Sequence, residues 1–149
     1  MKNISLVLGL LLCSLFVYGQ YIPDAVKTQF AALYPNIQAT EWEILDGIYE
    51  VSFVENEIES SVLFSNDGRV LQTETEIETS LLPQAVKDYV GAKLPGKKIE
   101  EASKIVRMDG KITYEVEVDD IDYLFDSLGT FLKQEAEEDD DDDDEEEDD

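Results

Sequence analysis

The chain repeats itself. Ile22-Pro23-Asp24-Ala25-Val26-Lys27 returns as Leu82-Pro83-Gln84-Ala85-Val86-Lys87, 60 positions later. The run from Phe64 through Gly68 and Leu71 to Glu74 returns as Phe125, Gly129, Leu132 and Glu135, 61 positions later. A period of this length constrains the fold more than any other feature, because each copy must be one supersecondary unit that needs its neighbour.

Each copy opens on a helix. Pro23 and Pro83 suit the first helical turn, where a missing N–H costs nothing. Val26, Phe30 and Leu33 form one apolar face, and Val86, Val90 and Leu94 form its counterpart. Pro35 and Pro95 end both helices, since the residue before a proline avoids the helical region. Strands follow. Trp42 and Ile44 alternate with Glu41 and Glu43; Tyr49, Val51 and Phe53 with Glu50 and Ser52; Ser60, Val62 and Phe64 with Glu59 and Ser61. The second copy sets Tyr114, Val116 and Val118 against Glu115 and Glu117, then Ile121, Tyr123 and Phe125 against Asp122 and Leu124. Period two with one polar side predicts half-buried antiparallel strands. Asp46-Gly47, Asp67-Gly68 and Asp109-Gly110 are hairpin signals, and Asp119-Asp120 is a weaker one. The expected fold is α+β, with two tandem repeats. Each repeat packs one helix on a 3–4-stranded antiparallel meander sheet.

The ends read differently. Lys2 followed by the apolar run Ile4 to Val17 predicts a secretory signal peptide over 1–19, cut after Gly19. That run is too short for a membrane span, and Leu10-Leu11-Leu12 before Cys13 lacks the small residue of a lipoprotein site. The repeats then occupy 20–78 and 79–136. Residues 137–149 are all acidic, and such a block repels itself and stays disordered. Cys13 is the sole cysteine, so beyond the leader no disulfide or thiol chemistry is available.

The net charge is −25. This excess of acid argues against nucleic acid and anionic membranes as partners and favours cations or a protein with a basic surface. The copies share the charge unevenly: residues 22–78 carry 12 acids and 2 bases, residues 82–136 carry 11 acids and 8 bases. There is no histidine, which excludes a Ser–His–acid triad, a His-ligated zinc site and a His base. No haem or nucleotide is expected. Glu50 and Glu115 occupy matching positions as a carboxylate pair, but acids alternating on strands read first as a solvated face. Asp119, Asp120 and Asp122 are the candidate oxygen ligands for a hard cation, loosely bound Ca²⁺ above all. Trp42, Tyr49, Tyr114 and Tyr123 fall on the side assigned to the core.

The motif Leu/Ile-Pro-x-x-Val, a helix ending in Tyr34-Pro35 or Leu94-Pro95, Tyr-Glu-Val at 49–51 and 114–116, and Phe-x-x-x-Gly at 64–68 and 125–129 resembles the β-lactamase-inhibitor-like, PepSY-like family. The resemblance covers about residues 22–136 and occurs twice. It implies tandem helix-and-sheet units in the periplasm or outside the cell, with a binding or inhibitory role; the lack of histidine and of a nucleophile context sets the further expectation that the chain is not an enzyme. The expected protein-binding residues lie on the sheet face away from the helices: Glu50, Ser52, Glu59, Ser61, Leu63, Glu115, Glu117 and Leu124. The alternative is a low-affinity calcium-binding acidic protein.

Overall fold

The computed structural model describes residues 21–136. The expected signal peptide and acidic tail lie outside the described residues. Helix α1 (Asp24–Leu33) precedes strands β1 (Ala39–Leu45), β2 (Ile48–Glu55), β3 (Ile58–Ser65) and β4 (Val70–Glu76). A single 3₁₀ turn (Thr79–Leu81) leads into helix α2 (Gln84–Lys93). Strands β5 (Glu101–Arg107), β6 (Ile112–Glu117), β7 (Ile121–Asp126) and β8 (Phe131–Ala136) follow. All eight strands form one antiparallel sheet in chain order, β1 to β8. The class is α+β, as expected. Whether the two copies join was open from sequence. They do, through β4 and β5, where Gln72 pairs with Arg107, Glu74 with Ile105 and Glu76 with Ser103.

Both helices lie on the same side of the sheet and build separate cores. Under α1, Val26 and Phe30 meet Val51, Phe53, Val62 and Phe64. Under α2, Val86 and Val90 meet Val116, Val118, Tyr123 and Phe125. Tyr49, Tyr114 and Trp42 pack at the margins of these clusters, on the core side predicted for them. Between the two lobes the helix side opens into a cleft of about 430 Å³, lined by Ile58, Ile77 and Leu81 among others.

The repeated motif has a packing reason. The turn after β3 places Gly68 at φ +81°, where a Cβ would stand 2.8 Å from the Ala25 carbonyl oxygen. The turn after β7 places Gly129 at φ +86°, where a Cβ would stand 2.8 Å from the Ala85 Cβ. Glycine is needed twice over: for the left-handed backbone and for close approach to the helix start. The helix alanine and the turn glycine therefore recur together.

One core assignment fails. Leu33 is 46% exposed. Pro35 drives Tyr34 out of the helix, to φ −128° and ψ 67°. The Tyr34 ring then folds back to 4.4 Å from Phe53 and takes the place assigned to the leucine.

Candidate functional site: the acidic face of the sheet

Strand alternation sends every second side chain to the face opposite the helices. Register aligns these side chains into rows that cross the strands. One row runs Glu43–Glu50–Leu63–Gln72–Arg107. The next runs Glu41–Ser52–Ser61–Glu74–Ile105–Thr113–Asp126. A third runs Glu76–Ser103–Glu115–Leu124–Lys133, and a fourth Glu101–Glu117–Asp122–Glu135. The predicted protein-binding residues do share this face. Gln72, Glu74, Ser103, Thr113 and Glu135 belong with them and were missed. Their signal was the polar alternation Gln72, Glu74, Glu76, which continues the period-two pattern of the preceding strands.

The reading of these acids as a solvated face is overturned. Glu50 is 1% exposed, Glu115 2% and Glu74 6%. Ser52, Ser61, Leu63, Glu117, Asp122 and Leu124 are buried too, while Glu59 is half-buried. Period two reports which side a residue faces, not whether water reaches that side.

Burial has an electrostatic consequence. It pushes the Glu50 carboxyl up to about 8, opposed by the Ser61 hydroxyl and reinforced by Glu43, Glu74 and Glu41. Ser61 lies beside Glu50 without reaching hydrogen-bond geometry to either carboxyl oxygen, and both oxygens are buried without a partner. Burial likewise lifts Glu74 to about 7; the Ser103 hydroxyl lowers it and Asp122 raises it. One Glu74 oxygen, Oε1, has no partner. At the margin, burial raises Glu43 with help from Glu41, and raises Glu59 with help from Glu76.

The predicted cation ligands are not brought together. Asp119 and Asp120 form the β6–β7 turn, with φ +54° and +57°. Asp119 pairs with Lys97. Asp122 lies on the buried face opposite Glu117. Asp120 instead joins Glu100 and Glu117, with one oxygen of each within 4.8 Å of the others. This is the one such carboxylate group among the described residues.

The family described as "Putative beta-lactamase-inhibitor-like, PepSY-like" matches residues 17–72 and 47–133. The chain belongs to this PepSY-like family. Among solved structures, the chain is similar to one described as "putative periplasmic proteins" from Bacteroides eggerthii. The identity is 21% and the TM-score 0.68, with 78% of this chain and 89% of that one covered. It is also similar to a BLIP-like protein from Bacteroides fragilis. There the identity is 24% and the TM-score 0.59, with 82% and 93% covered. At these identities the likeness establishes the PepSY-like fold and nothing finer. No curated protein matches the chain. No helix among the described residues is long and apolar enough to cross a membrane.

Proposed function

We propose that the protein is a secreted, periplasmic, non-enzymatic binding module that holds a protein partner on the open face of its sheet. In this reading two copies of one helix-on-meander unit join edge to edge to double the width of that face. One observation carries it: Leu63 and Leu124 occupy equivalent, buried positions of the two halves, each set among acids on a face that neither helix covers. Apolar centres ringed by polar groups are the usual anatomy of a protein interface. The periplasmic and BLIP-like descriptions of similar structures support the compartment and the binding role.

The test is capture of a partner from the periplasmic fraction by immobilised protein. Leu63→Asp and Leu124→Asp are expected to abolish capture, and Lys87→Ala on α2 to leave it intact. Capture that ignores both leucine variants ends this reading.

A second reading is low-affinity Ca²⁺ binding, with no other cofactor. The Glu100–Glu117–Asp120 group favours it. Calorimetric titration with CaCl₂ checks it. Asp120→Asn is expected to remove one class of site, and deletion of residues 137–149 the uptake due to the acidic tail.

A further inference from the structure

We propose that the face around Glu50 and Glu74 is a receptor for one long cationic side chain, arginine or lysine, projecting from an apolar stretch of the partner. The inference rests on the open-face reading above and specifies the partner's chemistry.

The first support is unmet hydrogen bonding. Both carboxyl oxygens of Glu50 and one of Glu74 are buried without a partner. Buried polar atoms in folded proteins almost always have partners, and an ionised carboxylate can only accept. Even as a neutral carboxyl, Glu50 keeps a carbonyl oxygen that lacks a donor, and a charged donor that ionises the group forms the strongest bonds.

The chain does not supply that donor from the surrounding elements. Around Glu50 stand Glu41 and Glu43 from β1, Ser61 and Leu63 from β3, and Gln72 and Glu74 from β4. Arg107, opposite Gln72, is exposed at the end of its row. The ion pairs Arg69–Asp67, Lys97–Asp119 and Lys133–Glu135 engage other acids, and none reaches Glu50 or Glu74.

Geometry selects an extended cation over a metal ion. A divalent ion draws its oxygen ligands to within about 2.6 Å of one point. Glu50 and Glu74 are not part of a chelating group of three carboxylates; the group that exists lies at the β6–β7 turn. They stand on strands two apart, roughly 10 Å between backbones, with Ser61 between them. A guanidinium offers five donors in one planar fork, enough to serve carboxyl oxygens from two strands. Leu63, directly opposite Glu50, offers an apolar seat for its methylene stem.

Protonation agrees with this. Burial holds the Glu50 carboxyl neutral at pH 7 while the face is unoccupied, since its pKa is about 8. An arriving cation favours the ionised form. The carboxyl proton then leaves to solvent as the ion pair forms, so binding strengthens as pH rises.

The experiment uses the whole secreted protein and an acetylated octapeptide amide with one arginine among leucines and alanines. The control peptide carries citrulline, which keeps the shape and loses the charge. Calorimetry at pH 7 in two buffers of different ionisation enthalpy is expected to show three things. The arginine peptide binds at least tenfold tighter than the citrulline peptide. Protons are released from Glu50 and in part from Glu74, and affinity rises between pH 6 and pH 9. Glu50→Gln is expected to weaken binding about thirtyfold and to reduce the proton release to the share of Glu74. Glu74→Gln is expected to weaken binding less, and it carries the same test if the first variant does not fold. Equal binding of both peptides overturns the proposal. So does partner capture that is lost in Leu63→Asp but unchanged in Glu50→Gln, which leaves the open-face reading intact. Capture indifferent to the leucine variants removes that reading itself.

Discussion

The two halves of the sheet solve the same packing problem with different side chains. Under α1, Phe30 meets Phe53 and Trp42 at steep angles, with centroids 5.4 and 5.7 Å apart. Under α2, Tyr89 stacks flat on Phe131 at 4.9 Å, and Phe125 meets both rings edge-on. What stays constant is the docking of a turn glycine against a helix alanine. What changes most is charge, and it changes on the outside. The bases of the second half lie mostly on α2, its exit loop and the turns; Arg107 and Lys133 alone stand in the open-face rows. The divergence that looks large in sequence therefore leaves the inner acids of both halves in place.

The largest expected effect tests whether the halves are one cooperative body. Phe64 and Phe125 are equivalent and fully buried. Phe64→Ala and Phe125→Ala are each expected to cost about 3–5 kcal/mol. Because β4 pairs with β5, each variant is expected to unfold in urea as a single transition. Two transitions, with only the mutated half shifted, would break the picture of a shared sheet.

Glu50 gives the next effect. Its folded pKa, about 8, lies above the ordinary glutamate value of 4.5, so the folded state holds a proton that the unfolded chain has lost. The stability this represents is present below pH 4.5 and drains as pH rises to about 8. Glu50→Gln cannot ionise and is expected to flatten the decline, gaining on the order of a few kcal/mol over the parent at pH 8 to 9. Urea unfolding across pH 5 to 9 reads this directly. An unchanged slope would mean that the Glu50 site is wetter than its burial implies.

Gly68→Ala and Gly129→Ala compare the two docking turns. Each forces a left-handed backbone on a residue with a Cβ, worth about 1–2 kcal/mol before any clash. At Gly68 the nearest atom is the Ala25 carbonyl oxygen and at Gly129 the Ala85 Cβ, both fixed to helix backbone; at the same 2.8 Å the carbon–carbon approach is the tighter overlap. The loss in urea midpoint is therefore expected to be larger at Gly129. The hairpin tips reverse the sign. Glu57 sits at φ +67° without the local hydrogen bonding that lets Asn and Asp tolerate such geometry. Glu57→Gly is expected to stabilise by about 0.5–1 kcal/mol, and Asp120→Gly, at the matching tip, by less.

The legible part of this molecule was what period and turn chemistry encode. Val26, Val51 and Phe64, with their counterparts in the second half, identified the α+β class and the apolar side of its strands. β4 and β5 were harder. Gln72-Thr73-Glu74-Thr75-Glu76 has no apolar side because the seam between the helices gives it nothing to pack against. The joining of the copies was therefore invisible, and Glu74 was missed with it. The burial of Glu50 was illegible for a different reason. Alternation distinguishes two faces but holds no information on how much water each retains. The cation ligands were not legible because their partners are distant in sequence: Asp119 is taken by Lys97, while Asp120 joins Glu100 and Glu117.

The smallest effect concerns a difference at the edge of the second half. Asp119 holds Lys97 in an exposed ion pair and raises its pKa through hydrogen bonding and charge, with Glu100 adding to the pull. Exposed pairs of this kind contribute little to stability because water and salt screen them. Lys97→Met is expected to leave the urea midpoint unchanged. It removes the cation paired with Asp119, beside the Glu100–Glu117–Asp120 group. Calcium uptake at the turn is therefore expected to rise in the variant, and to fall back when Asp120→Asn is added. A calcium isotherm that ignores both changes would remove the turn as a cation site. The two halves would then differ at this turn only in how they neutralise surface acid.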